Sequence, residues 1–237
     1  MQGMFITGTD TGVGKTLVTA LIARSLAQDG LDVGAYKPLQ SGHPLGHPDG
    51  DVMRLRRIGG ITDAPEQMCF RALEEPLAPG LALARAGVSV TRDALLDHLA
   101  AYSARHANML IEGAGGLCVP LTEDLTVADL ACTVRLPVVI VARSGLGTVN
   151  HTALTVHYAR SRGLSVAGVI VSGMPHDEDC LEWANIPMIE EAAKCPVLAV
   201  LPLFAPETGS VEQTLALDRQ WRPSEFLSGK HMFVMKE

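Results

Sequence analysis

A glycine-rich turn between an apolar strand and an amphipathic helix constrains this chain more than any other feature. The apolar residues 4–6 lead into GTDTGVGKT at residues 8–16, and apolar side chains then recur at helical spacing over residues 15–29. In such a turn, successive backbone N–H groups can surround a polyphosphate, and the positive end of the helix dipole points at the same anion. The sequence therefore predicts a phosphate-binding loop, or P-loop, after the first strand of an α/β fold.

The loop differs slightly from the usual spacing. Five residues separate Gly8 from Gly14 where the standard loop has four, and Thr9 stands where the first glycine would be. We expect Lys15 to reach the β- and γ-phosphates of a nucleotide, and the Thr16 hydroxyl to complete the coordination of a bridging Mg²⁺. Phosphoryl chemistry is therefore the leading hypothesis.

The remaining chain alternates between apolar strands and helical segments. Because the strands are apolar on both faces, they are typical of a parallel sheet covered by helices on each side. We predict an α/β protein whose single domain, residues 1–237, is a doubly wound, mostly parallel sheet of the P-loop NTPase type. The predicted strands are 4–6, 33–37, 109–112, 137–142, 166–171 and 197–201. The predicted helices are 15–29, 92–105, 127–134, 149–162 and 179–194, the last broken by Pro187.

Composition argues against several classes of partner. The formal net charge of −7 disfavours the basic surface stripe that nucleic-acid binding requires, so no nucleic-acid partner is expected. The longest apolar run, near residues 136–142, is far too short to cross a bilayer, and residues 1–3 do not resemble a signal peptide. The five cysteines show no CxxC spacing. We therefore expect a cytoplasmic protein without membrane contact, disulfide framework or cysteine metal site.

Two charged residues follow predicted strands at the edge where ligands bind in such folds. Lys37 follows the second strand in KPLQSG (37–42), and Glu112 ends the next strand before GAGG (113–116). A lysine there can offset γ-phosphate charge, and a carboxylate there is where a P-loop enzyme holds Mg²⁺. The glycines after Glu112 permit close backbone approach to a ligand.

Taken together and in this order, these motifs resemble the dethiobiotin synthetases, and the resemblance extends over most of the chain. It also includes Asp51 at the start of a helix, EPLAP (75–79), LPV (136–138) and GTVNH (147–151). It implies a homodimer that converts 7,8-diaminopelargonate, CO₂ and MgATP to dethiobiotin, ADP and phosphate. In that family, an amine forms a carbamate whose oxygen attacks the γ-phosphate, and the second amine then closes the ureido ring.

The resemblance also implies roles for individual residues. Lys15 and Lys37 would stabilise the transferring phosphoryl group, and Thr11 and Ser41 would contact the carbamate and phosphate region. The implied metal ligands are Thr16, Asp51 and Glu112. The substrate's distant carboxylate would bind Gly147, Thr148, Val149 and Asn150 at a helix N-terminus, across the dimer interface. The nucleotide would contact Asp10, Thr11, Gly12, Val13, Gly14, Lys15, Thr16, Glu112, Gly115, Ser172, Pro202 and Leu203.

The chain departs from the family pattern at several positions. Residue 12 is glycine where some members carry a glutamate, and Ser172-Gly173 replaces an asparagine that reads the adenine edge. The segment 75–80 lacks the serine and histidine often found beside its second proline. Asp49 lies two residues from Asp51, so either could be the metal ligand.

Other interpretations remain open at this point. His43, His47, Asp49 and Asp51 share one loop and could suggest a zinc site, although their spacing matches no known signature. His151 and His157 are expected to pack rather than act as bases. A nucleotide-switch ATPase of the partitioning or division-site type is the alternative function. Those proteins carry a lysine where this chain has Asp10, and often end in a basic membrane helix that residues 230–237 do not resemble.

The amide synthetases of the cobalamin pathway also resemble this layout. They normally carry a glutamine-hydrolysing domain, and this chain is too short to include one.

Overall fold

A computed structural model describes residues 1–177 and 179–203 of the chain. Its centre is a sheet of six parallel strands in the spatial order β2-β5-β1-β6-β7-β8, and a second, two-stranded parallel sheet is formed by β3 and β4. The strands are β1 (Gln2–Gly8), β2 (Val33–Tyr36), β3 (Leu39–Ser41), β4 (Arg71–Leu73), β5 (Asn108–Glu112), β6 (Val138–Arg143), β7 (Val166–Met174) and β8 (Val197–Pro202).

The helices fill the connections between these strands. They are α1 (Lys15–Gln28), α2 (Asp51–Gly59), α3 (Pro65–Met68), α4 (Pro79–Ala86), α5 (Arg92–Ser103), α6 (Val127–Val134), α7 (Thr148–Ser161) and α8 (Asn185–Ala193), with a 3₁₀ turn at Leu181–Ala184. In the part of the chain described, no helix is both long and apolar enough to span a membrane.

The strand order explains why helices cover both faces of the sheet. From β1 the chain crosses through α1 to β2 on one side, and from β6 it crosses through α7 to β7 on the other side. Because parallel crossovers are right-handed, two crossovers in opposite directions place their helices on opposite faces. The doubly wound α/β fold expected from the sequence is therefore confirmed. Its central strands are almost wholly buried, as their continuous apolar runs require.

The helix expected over residues 179–194 differs from the prediction. Instead of breaking it, Pro187 lies in the first turn of α8, which begins at Asn185 after the short 3₁₀ turn. The first N–H groups of a helix have no intrahelical partner, so proline costs little there. The interpretation of Pro187 as a break was wrong, since proline is tolerated in the first turn of a helix and disrupts a helix only in its interior.

Four elements were not expected from the sequence, namely β3, β4, α3 and α4. The strands β3 and β4 have three residues each, too few for an alternating pattern to show. Helix α4 does carry end signals, with Pro79 at its first position and Gly87 in the left-handed conformation after its end. These elements all lie between β2 and β5 in the chain, and residues of β3 and of the start of α4 line one wall of the cavity described next.

Candidate active site

The P-loop joins the end of β1 to the start of α1. Gly12 and Gly14 both adopt positive φ angles, 75° and 95°, which other residues rarely adopt. Gly14 is the N-cap of α1, and no side chain caps the helix. The first backbone N–H groups of α1 are therefore available to an anion. A cavity of about 570 Å³ opens at this point and is lined by Gly12, Gly14, Lys15 and Thr16.

Strand register brings Lys37 next to Glu112. In the β2–β5 pair Tyr36 lies opposite Ile111, so the residue after each lies at the same edge of the sheet. Lys37 Nζ lies 2.7 Å from Glu112 Oε1 and 3.2 Å from the carbonyl oxygen of Gly113. Both side chains are buried, with relative exposures of 4% for Lys37 and 0% for Glu112. The two strand-end charges expected from the sequence thus form a buried ion pair.

Helix α2 adds Asp51, its first residue, to this pair. Asp51 Oδ2 lies 2.8 Å from Lys37 Nζ, and Asp51 Oδ1 lies 2.9 Å from the hydroxyl of Thr16. The same hydroxyl lies 2.8 Å from Glu112 Oε1, and its single proton can serve only one carboxylate at a time. Residues from α1, β5 and α2 therefore meet at one point.

This cluster fits a magnesium ion. Glu112 Oε2 is buried and has no hydrogen-bond partner among the described residues, so one carboxylate oxygen is left for a further ligand. A hydroxyl and two carboxylates are the hard oxygen donors that Mg²⁺ prefers. Asp49 lines the same cavity, but its side chain is 73% exposed, against 29% for Asp51. Of the two aspartates, the geometry favours Asp51.

Burial and neighbouring charges shift the ionisation of the cluster. Burial, reinforced by the nearby Lys37, lowers the pKa of Lys15 to about 8. Burial would also lower the pKa of Lys37, but Asp51 and Glu112 outweigh it and raise that pKa. Burial opposes ionisation of Asp51, yet Lys37 and the Thr16 hydroxyl hold its pKa below the ordinary value. Two lysines thus face two carboxylates, and a divalent cation would make the site positive toward a polyphosphate.

Lys15 is held close to the loop by a backbone contact. Its ammonium donates a hydrogen bond of 2.8 Å to the backbone oxygen of Asp10. Thr11, Ser41 and Gly115 line the cavity, as expected for a substrate and phosphate region. The Asp10 side chain instead faces solvent and bonds to the Thr11 N–H, while Val13 is buried in the core. Neither residue lines the cavity, and their contact with a nucleotide stays a prediction.

The residues expected near the base gather behind the P-loop, outside the cavity. Ser172 is almost buried, and a Cβ atom placed on Gly14 would lie 2.6 Å from its hydroxyl oxygen. Leu203, which follows Pro202 at the end of β8, lies 3.8 Å from the position of a Cβ on Gly173. Ser172 therefore supports the loop from beneath, and its contact with a base stays a prediction.

The segment Gly147, Thr148, Val149 and Asn150 forms the start of α7 and does not line the P-loop cavity of its own chain. Thr148 is fully buried, and no hydrogen-bond partner for its hydroxyl lies among the described residues. No side chain caps this helix. Binding of the substrate carboxylate here stays a prediction, which requires a second chain.

The possible zinc site does not form. His43 and His47 stack with their ring centroids 4.5 Å apart, and His47 accepts a hydrogen bond from the Asp49 backbone. Across residues 1–177 and 179–203, no group of three or more histidine, cysteine and acidic side chains could hold a metal ion. His151 bonds to Arg143, in line with a packing role.

Three residues of the site were not expected from the sequence. Arg54 lines the cavity one turn after Asp51, and Pro79 lines it from the start of α4. Gln40 is fully buried beneath the loop that precedes α2. The helical spacing of Arg54 from Asp51 could have indicated its position, whereas Gln40 gave no sequence signal because its partners are backbone groups.

A parallel sheet with a glycine-rich loop between its central strand and an uncapped helix defines this protein as one with the P-loop NTPase fold. A family model described as an AAA domain matches residues 2–208. The chain belongs to the family of ATP-dependent dethiobiotin synthetases. It is 48% identical over 207 residues to "ATP-dependent dethiobiotin synthetase BioD" of Bacillus cereus, covering 87% of this chain and 86% of the relative. The enzyme of the same name from Bacillus thuringiensis is 47% identical with the same coverage.

Solved structures share the fold at much lower sequence identity. The Aquifex aeolicus MinC:MinD cell division complex matches with a TM-score of 0.59 and 14% identity, covering 100% of this chain and 99% of the other. A ParA family ATPase from Chlorobium tepidum matches with a TM-score of 0.55 and 11% identity, covering 98% and 95%. At these identities the likeness extends to the fold alone, so the switch-ATPase alternative gains no functional support. The C-terminal residues 230–237, used above against that alternative, lie outside the described residues.

Proposed function

We propose that this protein is an ATP-dependent synthetase that closes the ureido ring of dethiobiotin from 7,8-diaminopelargonate and CO₂, releasing ADP and phosphate. The observation that carries the proposal is the meeting of Thr16, Lys37, Asp51 and Glu112 at the cavity of the P-loop. These residues come from four separate segments, and each matches a family motif. The identity of 48% to a dethiobiotin synthetase over most of both chains supports the same reaction.

Thr16, Asp51 and Glu112 would hold Mg²⁺. When bound, the ion supplies positive charge that offsets the negative oxygens of the triphosphate. The unpartnered Glu112 Oε2 supports this assignment, as does the network that already orients the Thr16 hydroxyl and the Asp51 carboxylate.

The two lysines and the loop would do most of the work on the phosphoryl group. Negative charge develops on phosphoryl and carbamoyl oxygens in both steps of the reaction, so fixed cations and N–H dipoles can stabilise the transition states. Lys15 is free to leave the Asp10 carbonyl for a phosphate, because that is its one hydrogen bond in the described residues. Lys37, fixed by two carboxylates, would present its charge from the floor of the cavity. Thr11 and Ser41, at the cavity wall, would orient the carbamate.

The rest of the cavity suits an aliphatic substrate with polar ends. Beside the charged cluster, its wall includes Leu17, Leu39, Leu77, Pro79 and Val119. An alkyl chain that leaves water for this wall gains about 0.8 kcal/mol per buried methylene. The diamine end of the substrate would then lie at the lysines and its chain along the apolar wall.

The distant carboxylate would bind the start of α7 of a second chain. No side chain caps its backbone N–H groups at Gly147–Asn150, of which that of Thr148 donates to the Gly145 carbonyl oxygen at 3.2 Å, and the segment lies outside the cavity of its own chain. Several apolar side chains nearby are exposed, among them Leu146 at 97% and Leu181 at 88%, which suits a face covered in a homodimer. We further propose that the protein acts in the cytoplasm, where ATP and this soluble substrate meet.

The proposal is tested by incubating the protein with 7,8-diaminopelargonate, bicarbonate and MgATP. Dethiobiotin is then sought by mass, and ADP by a coupled assay. We expect dethiobiotin and ADP in equal amounts, with no turnover when the diamine is omitted. ADP release that needs DNA or lipid vesicles instead of the diamine would favour the switch-ATPase alternative and overturn the proposal.

A further inference from the structure

Gln40 is a fully buried polar side chain that the proposed reaction does not use. It lies in the short strand β3, and every polar atom of its amide has a partner. Its Oε1 accepts a hydrogen bond of 2.9 Å from the backbone N–H of Val52. Its Nε2 donates to the carbonyl oxygens of His43 at 3.0 Å and Pro44 at 3.4 Å. One side chain therefore holds both ends of the loop 43–50, which carries His43 and Asp49 at the cavity wall.

These contacts supply what the start of α2 lacks. Its N-cap is Gly50, which has no side chain to accept from the free N–H groups of the first turn. The side-chain oxygen of Gln40, in strand β3, takes that role by accepting from the N–H of Val52, the residue directly after Asp51. Because Asp51 is the first residue of α2, the hydrogen bond to Val52 fixes the backbone from which the Asp51 carboxylate reaches Thr16 and Lys37.

Gly50 and Gln40 also fit each other sterically. A Cβ atom on Gly50 would lie 2.7 Å from Gln40 Nε2, 3.1 Å from the backbone oxygen of His47 and 3.2 Å from Gln40 Cδ. The Gly50 backbone has φ −66° and ψ 150°, angles that any residue adopts. The closest contact of a side chain at position 50 would therefore be with Gln40, and the φ and ψ angles of Gly50 do not themselves require glycine.

We propose that Gln40 is a positioning residue for Asp51, and that it determines how strongly magnesium contributes to nucleotide binding. The inference rests on the proposed function, in which Asp51 is a metal ligand. Groups that orient a metal ligand typically change metal affinity by 10- to 100-fold when they are removed. Gln40 does so without touching the substrate, the nucleotide or the ion.

The test measures binding of a non-hydrolysable ATP analogue by calorimetry, once with Mg²⁺ and once with EDTA. The gain from Mg²⁺ is the ratio of the analogue's affinity with Mg²⁺ to its affinity in EDTA. For Gln40→Met, which keeps the shape of the side chain but loses all three hydrogen bonds, we expect this gain to fall about tenfold. Binding in EDTA should stay within twofold of the wild type, because the P-loop is unchanged. Equal losses with and without Mg²⁺ would indicate a merely structural role, and an unchanged gain would show that Thr16 and Lys37 suffice to place Asp51. Either result overturns the inference.

Two further variants sharpen this test. Gly50→Ala keeps every hydrogen-bonding group but displaces the amide, so it should reduce the Mg²⁺ gain in the same way, and it carries the test if Gln40→Met does not fold. In a Gln40→Ala background, where the closest contact of the new Cβ is removed, Gly50→Ala should change the gain less than twofold. The matched control is Gln67→Met, since Gln67 accepts from the Ala64 N–H at the start of α3. That variant should keep the wild-type gain.

The same experiment separates this inference from the proposed function. If the wild type shows no gain from Mg²⁺, the proposed metal site is wrong and the inference is wrong with it. If the wild type shows the gain and both Gln40→Met and Gly50→Ala keep it, the metal site stands and only the inference is wrong.

Discussion

Lys15 and Lys37 both face the P-loop cavity, but they differ in how they are held. Lys15 has a backbone carbonyl as its partner, whereas Lys37 lies between the buried Glu112 and the partly buried Asp51. Removing Lys15 therefore removes one cation and its hydrogen bond to a backbone carbonyl, but no ion pair within hydrogen-bonding distance in the described part of the chain. Removing Lys37 also leaves two carboxylates facing each other without a counter-charge.

We expect Lys15→Ala to lower kcat by about 100-fold or more while the melting temperature stays close to the wild type, because a cation aimed at developing charge is lost. Lys37→Ala should lower kcat at least as much and also lower the free energy of unfolding by about 3 kcal/mol. Steady-state kinetics and urea unfolding measure the two effects. Lys194→Gln, on an exposed lysine far along the chain, is the control and should change neither.

Selectivity among nucleotide bases depends on a different residue. An asparagine amide can pair with the adenine edge, and such a pair contributes about 1 to 3 kcal/mol of selectivity. Ser172 is shorter, and its hydroxyl lies against Gly14. We expect CTP and GTP to support turnover within about tenfold of ATP, or about 1.4 kcal/mol. Measuring kcat/KM for the four triphosphates checks this. A preference for ATP beyond about a hundredfold would mean that other groups read the base.

The residues of the site differ in how far the sequence could predict them. Lys37 and Glu112 follow buried strands, and parallel strands end at a common edge, so their meeting followed from the pattern. Asp51 was expected together with Asp49, and its contacts with Thr16 and Lys37 and its greater burial distinguish the two. Gln40 could not be expected, since it acts through backbone carbonyl and N–H groups that every residue has. The proposed carboxylate binding at the start of α7 depends on contact with a second chain, and a single sequence does not describe that contact.

Neighbouring side chains stabilise the first turn of helix α6. Its N-cap is Thr126, whose hydroxyl accepts from the Asp129 N–H, and Asp129 in return accepts from the Thr126 N–H at 2.8 Å. Asp129 also pairs with Arg162 at 2.7 Å. Hydrogen bonds from Thr126 and then from Arg162 lower the pKa of Asp129 to about 2, from an ordinary value of 3.8. The capping box here was not expected, although the boundaries of α6 were predicted correctly.

We expect Asp129→Asn to lower the free energy of unfolding at pH 7 by about 1 kcal/mol, the usual contribution of a helix cap. A lowered pKa in the folded state stabilises above the unfolded value, and this contribution is lost as pH falls through the folded value. The difference between wild type and variant should thus shrink between about pH 4 and pH 2. Urea unfolding across this range measures it. Thr91→Ala, which removes the N-cap of α5 but no titratable group, is the control, and its difference from the wild type should not shrink over this range.

In the whole molecule, the proposed substrate site is divided between two chains. The lysine cluster belongs to one protomer, and the start of α7 that would bind the carboxylate belongs to its partner. Asn150 is the third residue of α7, where an aspartate is favourable for the helix but repels a carboxylate ligand. Asn150→Asp is therefore a variant that should fold normally and bind the substrate poorly.

Mixing two inactive variants tests this division. We expect Lys37→Ala and Asn150→Asp, refolded together in equal amounts, to recover about a quarter of wild-type activity. Half of the dimers are then mixed, and each mixed dimer carries one intact site out of two. Gel filtration confirms the assembly. A mixture no more active than the mean of its two parents would show that each site lies within one chain.

The central position of β1 has a consequence for how the protein is made. Residues 2–8 leave the ribosome before either of their partners, which are residues 108–112 on one side and 138–141 on the other. An apolar strand must therefore wait for more than half of the chain before its neighbours exist, and pairing over such separations is slow. Nascent chains that stop before β6 would expose this strand, and they would be targets for chaperones and for aggregation. Nucleotide binding should thus arise only after β6 has been made, long after its loop has been translated.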